Sequence, residues 1–150
     1  MKLLASVLGI GHIRKGGGTV AAAVAVVAWY AVFKNDYRGG WPVLLTAAVL
    51  LVGVWAGNVV EKDWGKDSSK VVIDEVAGMW VSLLWVPVQW GWLVAAFVFF
   101  RFFDIAKPLG IRRMEALKGG WGVMADDVLA GIYANICLQL AMPVYGLVAA

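Results

Sequence analysis

The 150 residues carry 13 Lys and Arg against 10 Asp and Glu, 62% are hydrophobic, nine are Trp, and the mean hydropathy is +0.79. Such a chain is too apolar for an ordinary soluble domain and reads as a single-domain integral membrane protein, residues 1–150. Its bases are interleaved with acids, which leaves no footprint for nucleic acid, and a lone Cys137 in an apolar run rules out an internal disulfide.

The first ten residues, MKLLASVLGI, have a short apolar stretch followed by His12, Arg14 and Lys15, a poor secretory signal. They are expected to form a short interfacial helix. Gly9 and Gly11 begin something like a dinucleotide fingerprint, but Arg14 takes the third glycine position and no strand precedes it. GGGTV, residues 16–20, opens an apolar run that ends at Phe33. Thr19 suits an N-cap there, and free amides at a glycine-rich helix start can hold a phosphate. On the residues alone, a cap and nothing more is the favoured reading. Residues 34–42 form a turn with Trp41 at an interface and Pro42 in a first helical turn. The 22 uncharged residues 39–60 can span a bilayer, which takes about 20.

Acids and bases alternate over residues 61–75, as in a solvated loop. Asp74 and Glu75 differ, because they stand directly before the apolar VAGMWVSLLWV and are drawn to the membrane boundary. The 25 uncharged residues 76–100 fit either one long span kinked at Pro87 or two short helices joined by the turn PVQWG, 87–91. Counting Lys and Arg decides. A hairpin puts 11 on one side and only Lys34 and Arg38 on the other, a strong positive-inside signal, whereas a single span gives 6 against 7. The hairpin is therefore expected, with Trp85, Trp90 and Trp92 as an aromatic belt at its turn. Its first arm, residues 76–86, would be only about 16 Å long at 1.5 Å per residue. The helices must then continue into their charged ends, pulling Asp74, Glu75, Arg101 and Asp104 to headgroup level.

Residues 101–127, RFFDIAKPLGIRRMEALKGGWGVMADD, are a polar island between apolar segments. Arg101, Asp104 and Lys107 are spaced three apart at a helix end that Pro108 should terminate. A lone carboxylate at the depth of Asp104 is costly unless it is paired or binds a cation, so a shared metal is the simplest account. Asp126 and Asp127 precede the last apolar run, 128–150, which is expected to be a fifth span. They can be read as helix-start residues that favour the helix dipole, or as further metal ligands. The expected architecture is an all-α membrane bundle of about five membrane helices, including a short helical hairpin, plus the N-terminal interfacial helix.

This topology gathers Glu61, Asp67, Asp74, Glu75, Asp104, Asp126 and Asp127 on the cytoplasmic face, where oxygen-only ligation suits Mg²⁺ over zinc or copper. Arg101, Lys107, Arg112 and Arg113 stand alongside and suit an anionic phosphate. Carboxylates and cations together at headgroup depth point to phosphoryl chemistry on a lipid.

IDEVAGMW (73–80), FRFFDIAKPLGIRRME (100–115) and GGWGVMADDVLAG (119–131) resemble the phosphatidylglycerophosphatase A family, Mg²⁺-dependent membrane phosphatases that convert phosphatidylglycerophosphate to phosphatidylglycerol. The resemblance covers nearly the whole chain, including Gly18 and Thr19. It implies that Asp74, Glu75, Asp104, Lys107, Asp126 and Asp127 belong to the site, joined by Thr19, Glu61, Arg101 and Arg112. The acids would serve catalysis and Mg²⁺, and Thr19, Arg101, Lys107 and Arg112 the substrate phosphate. The implied setting is the cytoplasmic (inner) membrane, crossed several times, with the site facing the cytoplasm. The sequence departs from the family where Gly17 replaces a proline, Ala21 and Ala22 replace a glycine and a serine, and Gly110 replaces the second proline of KPxP. Two competing classes are a small cation transporter, since intramembrane acids often mark ion pathways, and a structural membrane subunit. Another lipid phosphoryl-transfer enzyme, a CDP-alcohol phosphotransferase, ranks lower because its D-G-x2-A-R-x8-G-x3-D-x3-D pattern is missing. Oligomeric state is not legible in the sequence.

Overall fold

The computed structural model of the chain describes residues 2–13, 16–65, 68, 70–114 and 116–148, with residues 62 and 148 described by backbone alone. Asp67, one of the acids expected on the polar face, lies outside the described residues, as do the bases Arg14, Lys15 and Lys66. The described residues are all-helical: α1 Lys2–Ala5, a 3-10 turn Ile10–His12, α2 Gly17–Phe33, α3 Gly40–Trp64, α4 Ile73–Leu83, α5 Trp90–Ala106, α6 Ile111–Met114 and α7 Gly120–Val148.

α1 is shorter than the ten-residue helix expected, because Val7 and Leu8 adopt positive φ and turn the chain back after Ser6. Ala5 O then accepts the Val72 N–H at 2.9 Å, and Lys2 pairs with Asp63 at 3.0 Å, so the N-terminus is tied to the last turn of α3 and to the residue before α4.

α3 and α7 are long and apolar enough to cross a membrane, and α2 is a shorter apolar helix. Most of the apolar surface of α3 and α7 faces outward, since only 33% and 22% of their most apolar windows are buried. A soluble chain would pay heavily to expose such faces, and a lipid surround removes that cost. The number of membrane-spanning helices that length and composition support is thus two among the described residues, against the five expected.

The interruption of residues 76–100 is present. α4 stops at Leu83, residues 84–89 turn, and α5 begins at Trp90. Trp85 takes φ 59°, Pro87 cannot donate an N–H, and the Gln89 N–H reaches Pro87 O at 2.8 Å. Tyr30 at the end of α2 stacks on Trp90 at 4.8 Å, and Trp92 meets Tyr145 of α7 at 5.6 Å. Rings from α2, α5 and α7 thus gather near this turn. The core around it holds Trp29, Phe33, Met79, Leu83, Leu93 and Phe100, and the Trp80 indole N–H donates to Ala25 O at 3.0 Å, tying α4 to α2.

Candidate active site

The acids of α4 lie in its first turn, where the helix dipole favours negative charge. Asp74 Oδ1 accepts the Glu75 N–H at 3.0 Å. The Glu75 side chain extends to the start of α2, where a Cβ added at Gly18 would collide with its carboxyl group. Only glycine at 18 leaves that space open. Glu75 Oε2 is buried and has no hydrogen-bond partner among the described residues.

The acids of α7 are set by its early start. Asn58 Oδ1, on α3, accepts the Gly120 N–H at 2.7 Å, and Gly119 before it takes φ 64°. The helix therefore begins at Gly120. Asp126 and Asp127 sit within it and not at its start, which removes the helix-start reading of the pair. Both are buried. Gly78 of α4 lets that helix lie directly against α7, since a Cβ there would run into Asp127 O and Phe100. Gly131 reciprocates, with Gly78 O in the place of its missing Cβ.

This crossing brings acids of the two helices together. Among the described residues, carboxylate oxygens of Asp74, Glu75 and Asp127 lie within 4.8 Å of one another, two acids from α4 and one from α7. Asp104, at the end of α5, stands outside this group but near enough for its charge to act on Glu75 and Asp127. Three or four carboxylates at such range repel strongly unless a cation or protons compensate. Their oxygens are hard donors of the kind Mg²⁺ takes, and the open Glu75 Oε2 is consistent with an acceptor kept for a cation.

The cations stand around this group in pairs. Arg101 and Asp104 form an ion pair one turn apart on α5, both largely buried, and Arg101 Nε is buried without a partner among the described residues. α5 ends at Lys107, whose backbone is left-handed at φ 46°, uncommon for a residue with a side chain and unfavourable without support. Its Nζ reaches Asp126 Oδ2 at 2.6 Å.

The remaining expected residues are placed less centrally. Thr19 is exposed in the first turn of α2 and makes no cap bond; Gly16, at φ 86°, occupies the N-cap. Glu61, half-buried near the end of α3, faces Gly119 at the start of α7 and stands outside the converging group, as does Asp126. Arg112 is exposed on α6. Three amides that charge and apolar patterning do not single out also hold the site's helices: Asn58 at the start of α7, and Asn135 and Gln139, which bond the end of α4 from α7. The signal was there, since an amide inside an otherwise apolar run needs a partner.

The family model for phosphatidylglycerophosphatase A matches residues 3–142. A protein of Bacteroides thetaiotaomicron named as a phosphatidylinositol-3-phosphatase is 44% identical over 153 residues, covering 96% of this chain and 94% of its own length. A phosphatidylglycerophosphatase A of Haemophilus influenzae is 44% identical over 96 residues, 62% of this chain and 59% of that protein. Its Escherichia coli namesake is 35% identical over 121 residues, 77% of this chain and 67% of that protein. No solved structure matches.

Proposed function

The chain belongs to the phosphatidylglycerophosphatase A family and is a phosphatase, and from that premise we propose that it removes the terminal phosphate of phosphatidylglycerophosphate in a Mg²⁺-dependent reaction, giving phosphatidylglycerol for phospholipid synthesis. The observation that carries this reading is the convergence of Asp74, Glu75 and Asp127, with half-buried Arg101 and Lys107 paired to the neighbouring acids Asp104 and Asp126. Asp74, Glu75 and Asp127 would hold Mg²⁺, with Asp104 beside them. Bound there, the ion would draw charge from the phosphoryl oxygens and orient the phosphate.

The protein's own groups supply the rest. Arg101, oriented by Asp104, and Lys107, oriented by Asp126, present fixed donors to the phosphate oxygens, where negative charge is concentrated as the bond breaks. In the balanced reaction the P–O bond to glycerol is cleaved, the oxygen of water joins phosphorus, and one of its protons ends on the glycerol hydroxyl released. In the proposed membrane arrangement α2, α3 and α7 cross the bilayer and the α4–α5 hairpin enters from the side of the acids, which faces the cytoplasm of the inner membrane. The acids that converge do so at one end of the bundle, an arrangement that suits a headgroup reaction better than an ion pathway through the membrane.

A second headgroup is worth an arm of the test, because the relative from Bacteroides thetaiotaomicron is named for phosphatidylinositol 3-phosphate. Phosphate release by the purified protein in mixed micelles is measured on both lipids, with Mg²⁺ and with EDTA. The expected result is Mg²⁺-dependent release, faster on phosphatidylglycerophosphate. Equal release in EDTA would remove the metal, and faster release from the inositol lipid would overturn the headgroup assignment.

A further inference from the structure

α4 has 11 residues, too few to cross a bilayer, so its carbonyl end stops inside the apolar body. Carbonyls left bare in such surroundings are strongly unfavourable, and broken helices persist only where neighbours supply donors. Here α7 supplies them. Asn135 Nδ2 donates to Ser82 O at 3.0 Å and to Leu84 O at 2.8 Å, and Gln139 Nε2 donates to Leu84 O at 3.3 Å. Asn135 and Gln139 are four residues apart, so they share one face of α7.

The register of these bonds matches that of the acids. Sequence separations across the amide bonds are 53, 51 and 55. By residue number Glu75 and Asp127 are 52 apart, and Gly78 and Gly131, whose backbones touch, are 53 apart. α4 and α7 therefore run side by side in one register over their shared length, with acids at one end, glycines between and amides at the other. The glycines permit close approach but do not choose a register, because a surface without side chains can slide. The amides do choose, since their donors meet particular carbonyls. A slip of one residue would move Glu75 about 1.5 Å along α7 and turn it about 100°.

We propose that Asn135 and Gln139 are positioning residues that hold α4 in the register at which Asp74 and Glu75 meet Asp127, an assignment whose catalytic meaning rests on the phosphatase reading above. The test separates the two. In a Cys137→Ser background, Asp74→Cys and Asp127→Cys are joined by a short thiol-specific linker, and the rate is followed with and without Asn135→Leu, which keeps the branched side-chain shape and removes the donors. The expected result is a linking rate lowered about tenfold with helix content unchanged, and a smaller reduction for the milder Gln139→Leu. With the acids intact, Asn135→Leu should lower kcat on phosphatidylglycerophosphate and leave KM near the parent value. Unchanged linking in both variants would overturn the proposal and assign the register to the glycine crossing. Loss of folded protein in both would assign the amides to folding alone and overturn it as well. If linking responds as expected while the parent hydrolyses neither lipid, the functional reading falls and the positioning role stands.

Discussion

Adjacent residues on a helix point about 100° apart, and Asp126 and Asp127 make different contacts. Asp127 turns to Asp74 and Glu75, and Asp126 turns to Lys107. Their amide variants should therefore fail differently. Asp127→Asn keeps the shape and loses the charge, and turnover should be abolished at any Mg²⁺ concentration while the protein stays folded; wild-type rates would remove Asp127 from the metal group. Asp126→Asn should release Lys107 and act as a phosphate-site defect, lowering kcat/KM. Lys107→Met should do the same by about a hundredfold, the equivalent of roughly 3 kcal/mol of lost transition-state stabilisation. Because the two form one unit, the double variant should be little worse than either single. Additive losses, or a Lys107→Met protein that is unstable but fully active per folded molecule, would make the pair structural. Removing Mg²⁺ with EDTA should silence the parent reversibly, checked by restoring activity with added Mg²⁺.

Close packing of α4 on α7 depends on two positions without side chains, Gly78 and Gly131, each facing the other helix's backbone. Gly131→Val should push α4 outward, costing about 1–3 kcal/mol of stability and nearly all activity. Gly146→Val on the same helix, where an added Cβ meets nothing within 4 Å, is the control and should change neither. Thermal unfolding and kcat of the two variants check this, and equal behaviour would discount the crossing. The hairpin was legible in the sequence because Pro87, the short uncharged run and the charge count all point the same way. The start of α7 was not, because apolar patterning marks where a helix becomes greasy and not where it begins. KGGWGV looks like a loop until Asn58, 62 residues earlier, caps Gly120. For the same reason Asp126 and Asp127 looked like helix-start residues, and Thr19 looked like a cap although the N-cap position falls at Gly16. Which of Asp126 and Asp127 meets the acids of α4 depends on how α7 is rotated against that helix, which the glycine contacts fix and apolar patterning does not.

At the scale of the molecule, both polar segments come to one end of the bundle. Asn58 near the end of α3 meets Gly120 at the start of α7, Glu75 at the start of α4 meets Gly18 at the start of α2, and Lys107 at the end of α5 meets Asp126. The aromatic contacts of Tyr30, Trp90, Trp92 and Tyr145 lie at the other ends of those same helices. Eleven of the 13 Lys and Arg flank the acidic end in sequence, and only Lys34 and Arg38 flank the aromatic one. Since cytoplasmic loops carry the excess of Lys and Arg, the acidic end should face the cytoplasm, with exposed Gln89 at the far end of the turn toward the opposite side. Exposed Lys118 and Gln89 report the two ends. In a Cys137→Ser background, an impermeant maleimide added to intact cells, with access through any outer envelope, should label Gln89→Cys readily and Lys118→Cys only after the membrane is opened. Should the charge excess fail to orient the chain, the pattern would invert. If instead residues 76–100 crossed as one kinked span in the cell, positions in the 61–75 and 101–127 segments would label from opposite sides, and the three carboxylates could not meet, so a labelling result of that kind would take the proposed site down with the topology.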